Sequence, residues 1–357
     1  MHRSRTREAS DDAAGFGLVE VLVGIVIALI TVIGVHRVVI TSESTRRAAQ
    51  SDADAQQTAQ FALARMTFDL ANAGAGIVTS ARALSSCPVS GDFSTMTRPI
   101  AVVITDGGAA DAPDSVVVRY AVSNATALPA RFAAAAPSGA SFVLRTPLGV
   151  APAEQIVASN RRGGCVRATV TAVRALGAGT VDVQHDIVAV DMPADAVAVN
   201  LGAAPRVVAT RYDVSGGTLR TTDLAGGDVP NPLISNVINL KIQYGIDADG
   251  DGALDTWVAA TSAGAFGDWS ADGVLQAPIE TLARIKALRV GIIVRGEQFD
   301  RAATSAFDWV LFDCEAADKR SCPGRIAGSI PGTARGGWHY RAYETVIPLR
   351  NLIWQRL

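Results

Sequence analysis

The chain has 357 residues, 49% of them hydrophobic, which is enough to bury at least one sizeable core. Only 18% are charged, the net charge is -2, and there is no basic stripe interleaved with aromatics, so nucleic acid is not an expected partner. The four cysteines, Cys87, Cys165, Cys314 and Cys322, lack any C-x-x-C spacing and fit disulfides in an oxidising compartment better than a tetrahedral zinc site. Four reduced, buried thiols are the alternative.

Residues 1–15, MHRSRTREASDDAAG, are polar and carry Arg3, Arg5 and Arg7, as a leader held on the cytoplasmic side would. An apolar run follows from Phe16 to about Val35, closed by His36 and Arg37. It has roughly the 20 residues needed to cross a 30 Å hydrocarbon layer as a helix, and a membrane span is predicted over 16–36. A secretory signal peptide would be cut after its apolar segment, whereas the small-residue site here, Ala13-Ala14-Gly15, precedes it. Glu20 lies near the start of the run. A charge at the centre of a membrane helix costs about 2.5 to 3.5 kcal/mol, so this carboxylate requires a partner. An ammonium group would supply one.

Residues 37–76 contain no proline, are rich in alanine and glutamine, and repeat Ala55, Ala59, Ala62, Met66, Leu70 and Ala73 at spacings of three and four. This predicts an amphipathic continuation of the same helix, ending near Gly74 or Gly76 and packing its apolar face on a head. Phe61, Met66, Phe68 and Leu70 read as core residues of that packing. With no proline between Thr31 and Ser44, Gly24 and Gly34 are the weak points of the helix.

From residue 77 to 357 the pattern becomes strand-like. The runs IAVVIT, SVVVRY, SFVLRT, CVRATVTAV, TVDVQHDIVAV, RVVATRYDV and TLRTT are separated by Gly, Pro, Asp and Ser. YDVSGGTLR predicts a hairpin with Ser215-Gly216-Gly217 at its tip, and residues 239–244 and 285–296 alternate as strands, the second preceded by a short helix from Ile279 to about Arg284. NATALPARFAAAAPSGA reads as a loop or inserted subdomain. The fold class is therefore α+β: a long N-terminal helix on an antiparallel β-rich head.

The loop DADGDGALD places Asp247, Asp249, Asp251 and Asp255 at relative positions 1, 3, 5 and 9, with Gly252 at position 6. Hard oxygen ligands at alternate positions around a glycine turn suit calcium, with the Ala253 carbonyl as a further ligand. Position 12 is Val258 rather than a bidentate glutamate, and the flanks read as strands, so the competing reading is a solvated hairpin tip. Cys314 and Cys322 flank the short polar segment EAADKRS and are expected to pair, leaving Cys87 for Cys165, although four cysteines allow three connectivities.

No G-x-S-x-G elbow, phosphate-binding G-x-x-x-x-G-K-[ST] loop or H-E-x-x-H helix is present. His185 beside Asp186 reads as a surface or cross-strand residue rather than a base. Glu280, Glu297 and Glu344 are scattered along the sequence. The chain is not expected to be an enzyme.

The G-F-x-L-V-E start of the long helix resembles the processing site of type IV prepilins and pseudopilins. The resemblance implies a pilin-like fold, cleavage by prepilin peptidase between Gly15 and Phe16, N-methylation of Phe16, and pairing of Glu20 with a neighbouring subunit's terminal amine. RYDVSGGTLR, LKIQYGIDADGDGALDTW, IKALRVGIIVRG and YETVIPLRNLIW follow in the order found in PilW-type minor pilins. The resemblance spans nearly the whole chain, except that residues 77–206 carry no motif that belongs to it. It implies a minor pilin in a priming or tip complex, serving adhesion, twitching motility or DNA uptake. The implied partners are other minor pilins, the major pilin, the inner-membrane assembly platform and a large tip adhesin. The implied location is the inner membrane with the head in the periplasm, then the pilus tip. A J-class minor pseudopilin of type II secretion is the nearest alternative, and a membrane-tethered binding module is a third reading.

Overall fold

The computed structural model describes residues 17–75, 87, 100–121, 129–145, 149–160, 164–203, 207–224, 226–260, 263–264, 267–270, 273–274, 277, 279–299, 308–313, 326–332 and 336–353. Helix α1 spans Leu18–Ala71, and two compact units divide within it, the first reaching Gln50 and the second running from Ser51 to Leu357. In the first unit the apolar side chains from Leu18 to Ile40 are exposed. The helix is uninterrupted at Gly24 and Gly34, and Thr31, Thr41 and Thr45 donate their hydroxyls to carbonyls four residues back.

In the second unit α1 belongs to the head. Ala55, Ala59, Ala62, Met66, Leu70 and Ala73 are fully buried, the face that the spacing predicts. Phe61 and Phe68 depart from the expected core role, being 53% and 62% exposed. Seven residues apart, they share a face of the helix turned away from the buried alanines. After Ala71 the chain turns, and Gly74, at φ +76°, donates its N–H to the Arg119 carbonyl at 2.8 Å.

The head carries nineteen strands among its described residues, all paired antiparallel. The first two are β1 (Val102–Thr105) and β2 (Ser115–Ala121). Six strands then close a barrel: β3 (Ala130–Phe132), β4 (Gly139–Arg145), β5 (Glu154–Ser159), β6 (Cys165–Gly177), β7 (Thr180–Val188) and β8 (Val197–Ala203), in the order β3-β4-β7-β6-β5-β8. The chain next returns to the first sheet with β9 (Val207–Ser215), β10 (Thr218–Asp223) and β11 (Pro230–Ser235), giving the order β1-β2-β9-β10-β11. Because β2 and β9 are hydrogen-bonded neighbours, the barrel is an insertion between adjacent strands of one sheet. It has its own core around Phe132, Phe142, Leu144, Ile156 and Met192. Part of the segment read as a loop or inserted subdomain, Ala130–Phe132, is the strand that closes the barrel, in keeping with the second of those readings.

A second sheet, ordered β13-β12-β16-β19, contains β12 (Val237–Ile246), β13 (Thr256–Ala259), β16 (Ile285–Arg295) and β19 (Tyr340–Pro348). Two small ribbons complete the set: β14 (Ala263–Gly264) with β15 (Gly267–Asp268), and β17 (Asp308–Leu311) with β18 (Ile326–Ser329). Helices α2 (Ile279–Leu282) and α3 (Arg350–Ile353) are single turns. The hairpin at Gly216-Gly217 has the expected form: Ser215 pairs with Thr218, and both glycines have positive φ, 59° and 73°. The main core lies between the buried face of α1 and residues of both large sheets, including Ile104, Val118, Tyr212, Leu240, Tyr244, Val290 and Ile347.

Candidate functional site

Two regions carry the chemistry expected of the sequence. In the first, α1 is the one described helix long and apolar enough to cross a membrane. Glu20 sits in its first turn and is exposed. The Gly15–Phe16 junction lies outside the described residues, as do Cys314 and Cys322.

Below the apolar segment, three polar contacts bind α1 to the head. Asp69, buried on the helix, accepts from the Tyr212 hydroxyl at 2.5 Å and the Tyr120 hydroxyl at 3.2 Å, and pairs with Arg65 at 3.2 Å. Burial, followed by the adjacent carboxylate, pushes the Tyr120 hydroxyl up to about 12 and moves Tyr212 the same way. Arg341 on β19 makes a two-pronged contact with Asp52, at 3.0 and 2.6 Å. At Gly296, just past β16, an added Cβ would lie 1.8 Å from Ser51 Oγ and 2.6 Å from the Ser51 carbonyl oxygen, so only glycine admits the helix this closely.

The second region is the polar face of β12. Alternation predicts a strand with one solvated face, yet all ten residues are buried. The apolar set belongs to the core shared with α1, while Asn239, Lys241 and Gln243 on the other face, and Asp247 just beyond the strand, are buried as well. Asn239 donates to the carbonyls of Ala110 and Ser329, both at 2.8 Å. Lys241 donates to the carbonyls of Ala109 and Ala112 and to the Asp114 carboxylate. Gln243 accepts from Arg289 Nε at 2.7 Å, and that guanidinium stacks between Trp257 and Phe312, 4.8 and 4.4 Å from their ring centres. Burial pulls the Arg289 guanidinium down to about 10.

Asp247 begins the loop between β12 and β13. One carboxylate oxygen each from Asp247, Asp249 and Asp255 lie within 4.8 Å of one another, so these three can hold one hard cation. Asp251 stands outside that group and accepts from the Ala253 amide at 2.7 Å. Asp247 also accepts from the amides of Gly250 at 2.6 Å and Gly252 at 2.9 Å, and Lys286 Nζ lies 3.4 Å from its Oδ2. Asp255 accepts from the Ala248 amide at 2.6 Å, and Arg284 donates to the Ala248 carbonyl. The donor set fits calcium in part: three carboxylates converge, but one is already opposed by a lysine.

Other residues fall differently from expectation. His185, expected as a surface or cross-strand residue, lies across from Val170 of β6 but not at the surface. It is buried in the barrel, its ring 4.0 Å from that of Phe142 and its Nδ1 2.6 Å from the Asp186 carbonyl oxygen. Glu344 accepts from the Phe312 amide at 2.8 Å, capping the end of β17. Cys87 and Cys165 are joined by a disulfide with a Cα–Cα distance of 5.4 Å. Asp114, Lys286 and Arg119 were not singled out by motif. A lysine or aspartate inside an alternating strand signals burial only once the covering loop is known.

A search of curated proteins finds no match. Among solved structures, a type IV-like pilin from Thermus thermophilus is similar, with 15% identity over 57% of this chain and 86% of that chain, at a TM-score of 0.25, too low to carry an argument. Residues 196–351, from the start of β8 into α3, match the family model of PilW, the type IV pilus-assembly protein W, and this ties the chain to type IV pilus assembly.

Proposed function

We propose that the chain is a minor pilin, stored in the inner membrane through α1, processed between Gly15 and Phe16, and built into a priming or tip complex with other minor pilins. The observation that carries the reading is the exposed apolar half of α1 with its single carboxylate, Glu20, on a chain whose C-terminal part matches the PilW family. An apolar helix with no internal packing partner is stable in lipid or among like helices, and a carboxylate within it is tolerable once paired with an amine. The head would lie in the periplasm and then at the fibre tip, and the chain would act by assembly rather than catalysis. In the same reading the Asp247 loop takes up calcium through Asp247, Asp249 and Asp255.

The test is purification of the full chain from cells carrying the assembly machinery, with its amino terminus and partners determined by mass spectrometry. A mature chain beginning at N-methylated Phe16 and recovered with pilus subunits supports the reading. A retained Met1 overturns the processing, and recovery with secretion-system subunits instead assigns the chain to the pseudopilin class. A Glu20→Ala variant should still enter the membrane and fail to join fibres.

A further inference from the structure

Strand β19 is hydrogen-bonded along one side only. It pairs with β16 over its whole length without a register shift, and among the described residues no strand lies on its other side. Which groups face that open side follows from the ladder. At its ends, Gly296 donates its N–H to the His339 carbonyl and Leu349 donates to the Lys286 carbonyl, both at 2.9 Å. The odd-numbered residues of β19 therefore bond to β16. Ala342, Glu344 and Val346 turn N–H and C=O outward, at every second residue and about 6.8 Å apart.

An open edge of this length is a liability that folds ordinarily suppress. The other sheet ends show how. β1 and β13 are only four residues long, and the Ile104 amide of β1 donates to the Tyr244 hydroxyl at 2.6 Å. β11 carries Pro230 and Pro232, which have no N–H to offer. β19, at nine residues, has no proline before Pro348 and carries the strand formers Tyr343, Thr345 and Val346, the last of them 56% exposed. Backbone donors and acceptors repeating at this spacing are matched by an extended peptide and by no compact ligand.

A second copy of this chain is a poor occupant. The antiparallel register that uses all three open positions on both strands sets Ala342 against Val346 and Glu344 against Glu344, and like charges directly opposite are destabilising. Glu344 is exposed, and it gives one carboxylate oxygen to the Phe312 amide while keeping its charge. Its complement is a basic residue on another chain. We propose that the open edge of β19 takes up an extended, antiparallel segment of a different protein chain, with a lysine or arginine opposite Glu344 and an apolar side chain against Val346. Such an edge serves a pilus subunit and a secretion subunit alike.

The experiment uses the full chain in cells carrying the assembly machinery, with the photo-cross-linker p-benzoylphenylalanine placed in turn at Ala342 and at Val346 and the cross-linked peptides sequenced by mass spectrometry. Both positions should reach one segment of one other protein, and the residue reached from 342 should lie four residues C-terminal to the one reached from 346, as antiparallel pairing requires. Val346→Pro removes an outward N–H and no bond to β16, so it should leave the melting temperature of the purified chain nearly unchanged and abolish the cross-link from 342. Thr345→Pro removes a bond to β16 and should lower the melting temperature. Glu344→Lys should cut the cross-link yield by about fivefold, because it opposes the partner's basic residue. Absence of a cross-link at both positions, cross-links within the chain or to β19 of a second copy, or partner sites without the antiparallel offset overturns the proposal. If Val346→Pro does not fold, the two cross-linked positions and Glu344→Lys decide alone.

Discussion

Lys241 Nζ lies 3.0 Å from Asp114 Oδ1, and both side chains are buried. The second carboxylate oxygen of Asp114 accepts from the Ile242 amide at 2.8 Å, and the Asp114 amide donates to the Leu240 carbonyl at 2.7 Å. The β13 strand pairs only with residues 243–246 of β12, so Asp114 continues the ladder along the part of that edge β13 leaves open. One residue of the loop between β1 and β2 thereby fastens the first sheet to the second.

Removing Lys241 should be costly, and the cost should depend on pH. Burial holds the Asp114 carboxyl above its ordinary value, against the pull of Lys241 and of the two amides it accepts. A carboxyl raised on folding contributes stability that is present below its unfolded value, near 3.8, and lost as pH rises through the folded value. Lys241→Met removes a downward influence, moves the folded value higher and widens that loss. The variant should be destabilised by about 3 to 5 kcal/mol near neutral pH, as expected for a broken buried pair, and by less near pH 4. Chemical denaturation at the two pH values measures the difference, and an equal loss at both would show that Asp114 is not the group left unpaired.

Gly296→Ala should separate α1 from the end of β16. The new methyl would meet Ser51 at its backbone as well as its side chain, so rotating the hydroxyl away relieves only part of the clash. A loss of about 1 to 3 kcal/mol is expected, typical of overpacking. Ser51→Ala in the same chain should recover only the part due to the hydroxyl, because the carbonyl contact remains. Full recovery, read as melting temperature, would mean the backbones do not approach as described.

Much of the helix and of the two large sheets was legible in the sequence because those features are local. The spacing of Ala55 to Ala73 identifies a helix face whatever it packs on, and Gly216-Gly217 requires a turn type that fits only a hairpin. The barrel was not legible. Its closure depends on β3, three residues in an alanine-rich stretch, pairing with β8 more than sixty residues later, and no short-range pattern encodes that partner. The same limit explains Phe61 and Phe68, apolar residues at helical spacing whose face is decided by where the head attaches. It also explains Asn239 and Lys241, whose alternation predicts a strand but not the loop from 106 to 114 that covers them. In the aspartate loop the residue spacing suggests four converging carboxylates, whereas three lie together, and the exclusion of Asp251 follows from turn geometry that side-chain spacing does not contain.

Reducing the Cys87–Cys165 disulfide should destabilise the barrel end of the head. The bond closes a segment with a sequence separation of 78, for which the loss of chain entropy in the unfolded state is worth about 4 kcal/mol. Cys87→Ser with Cys165→Ser should lower the unfolding midpoint accordingly in the absence of reductant, and reductant should have no further effect through this pair. Peptide mapping without reduction tests the separate expectation that Cys314 is bonded to Cys322: recovery of both as free thiols would refute it.

Calcium should stabilise the chain through the Asp247 loop, and Lys286 decides by how much. Three carboxylates within 4.8 Å repel one another, and a divalent cation relieves this at all three, while Lys286 already relieves it at Asp247. A ligand bound only by the folded state adds about 2.7 kcal/mol at a hundred times its dissociation constant, enough to raise the melting temperature visibly. Magnesium, which demands octahedral geometry and sheds water reluctantly, should do much less. Asp249→Asn should weaken the calcium response because it removes one of the converging carboxylates. Asp251→Asn should leave the response nearly intact, since that side chain points to the Ala253 amide instead. Lys286→Met should strengthen the response by removing the competing cation, even as it destabilises the protein in chelator. The measurement is melting of the full chain and the three variants in chelator, in millimolar calcium and in millimolar magnesium. A wild type whose melting does not move with calcium would make the loop a hairpin tip whose carboxylates serve the turn. A response lost in Asp251→Asn and kept in Asp249→Asn would instead put the cation on the alternate-position ligands of the sequence pattern, with the loop rearranged around it.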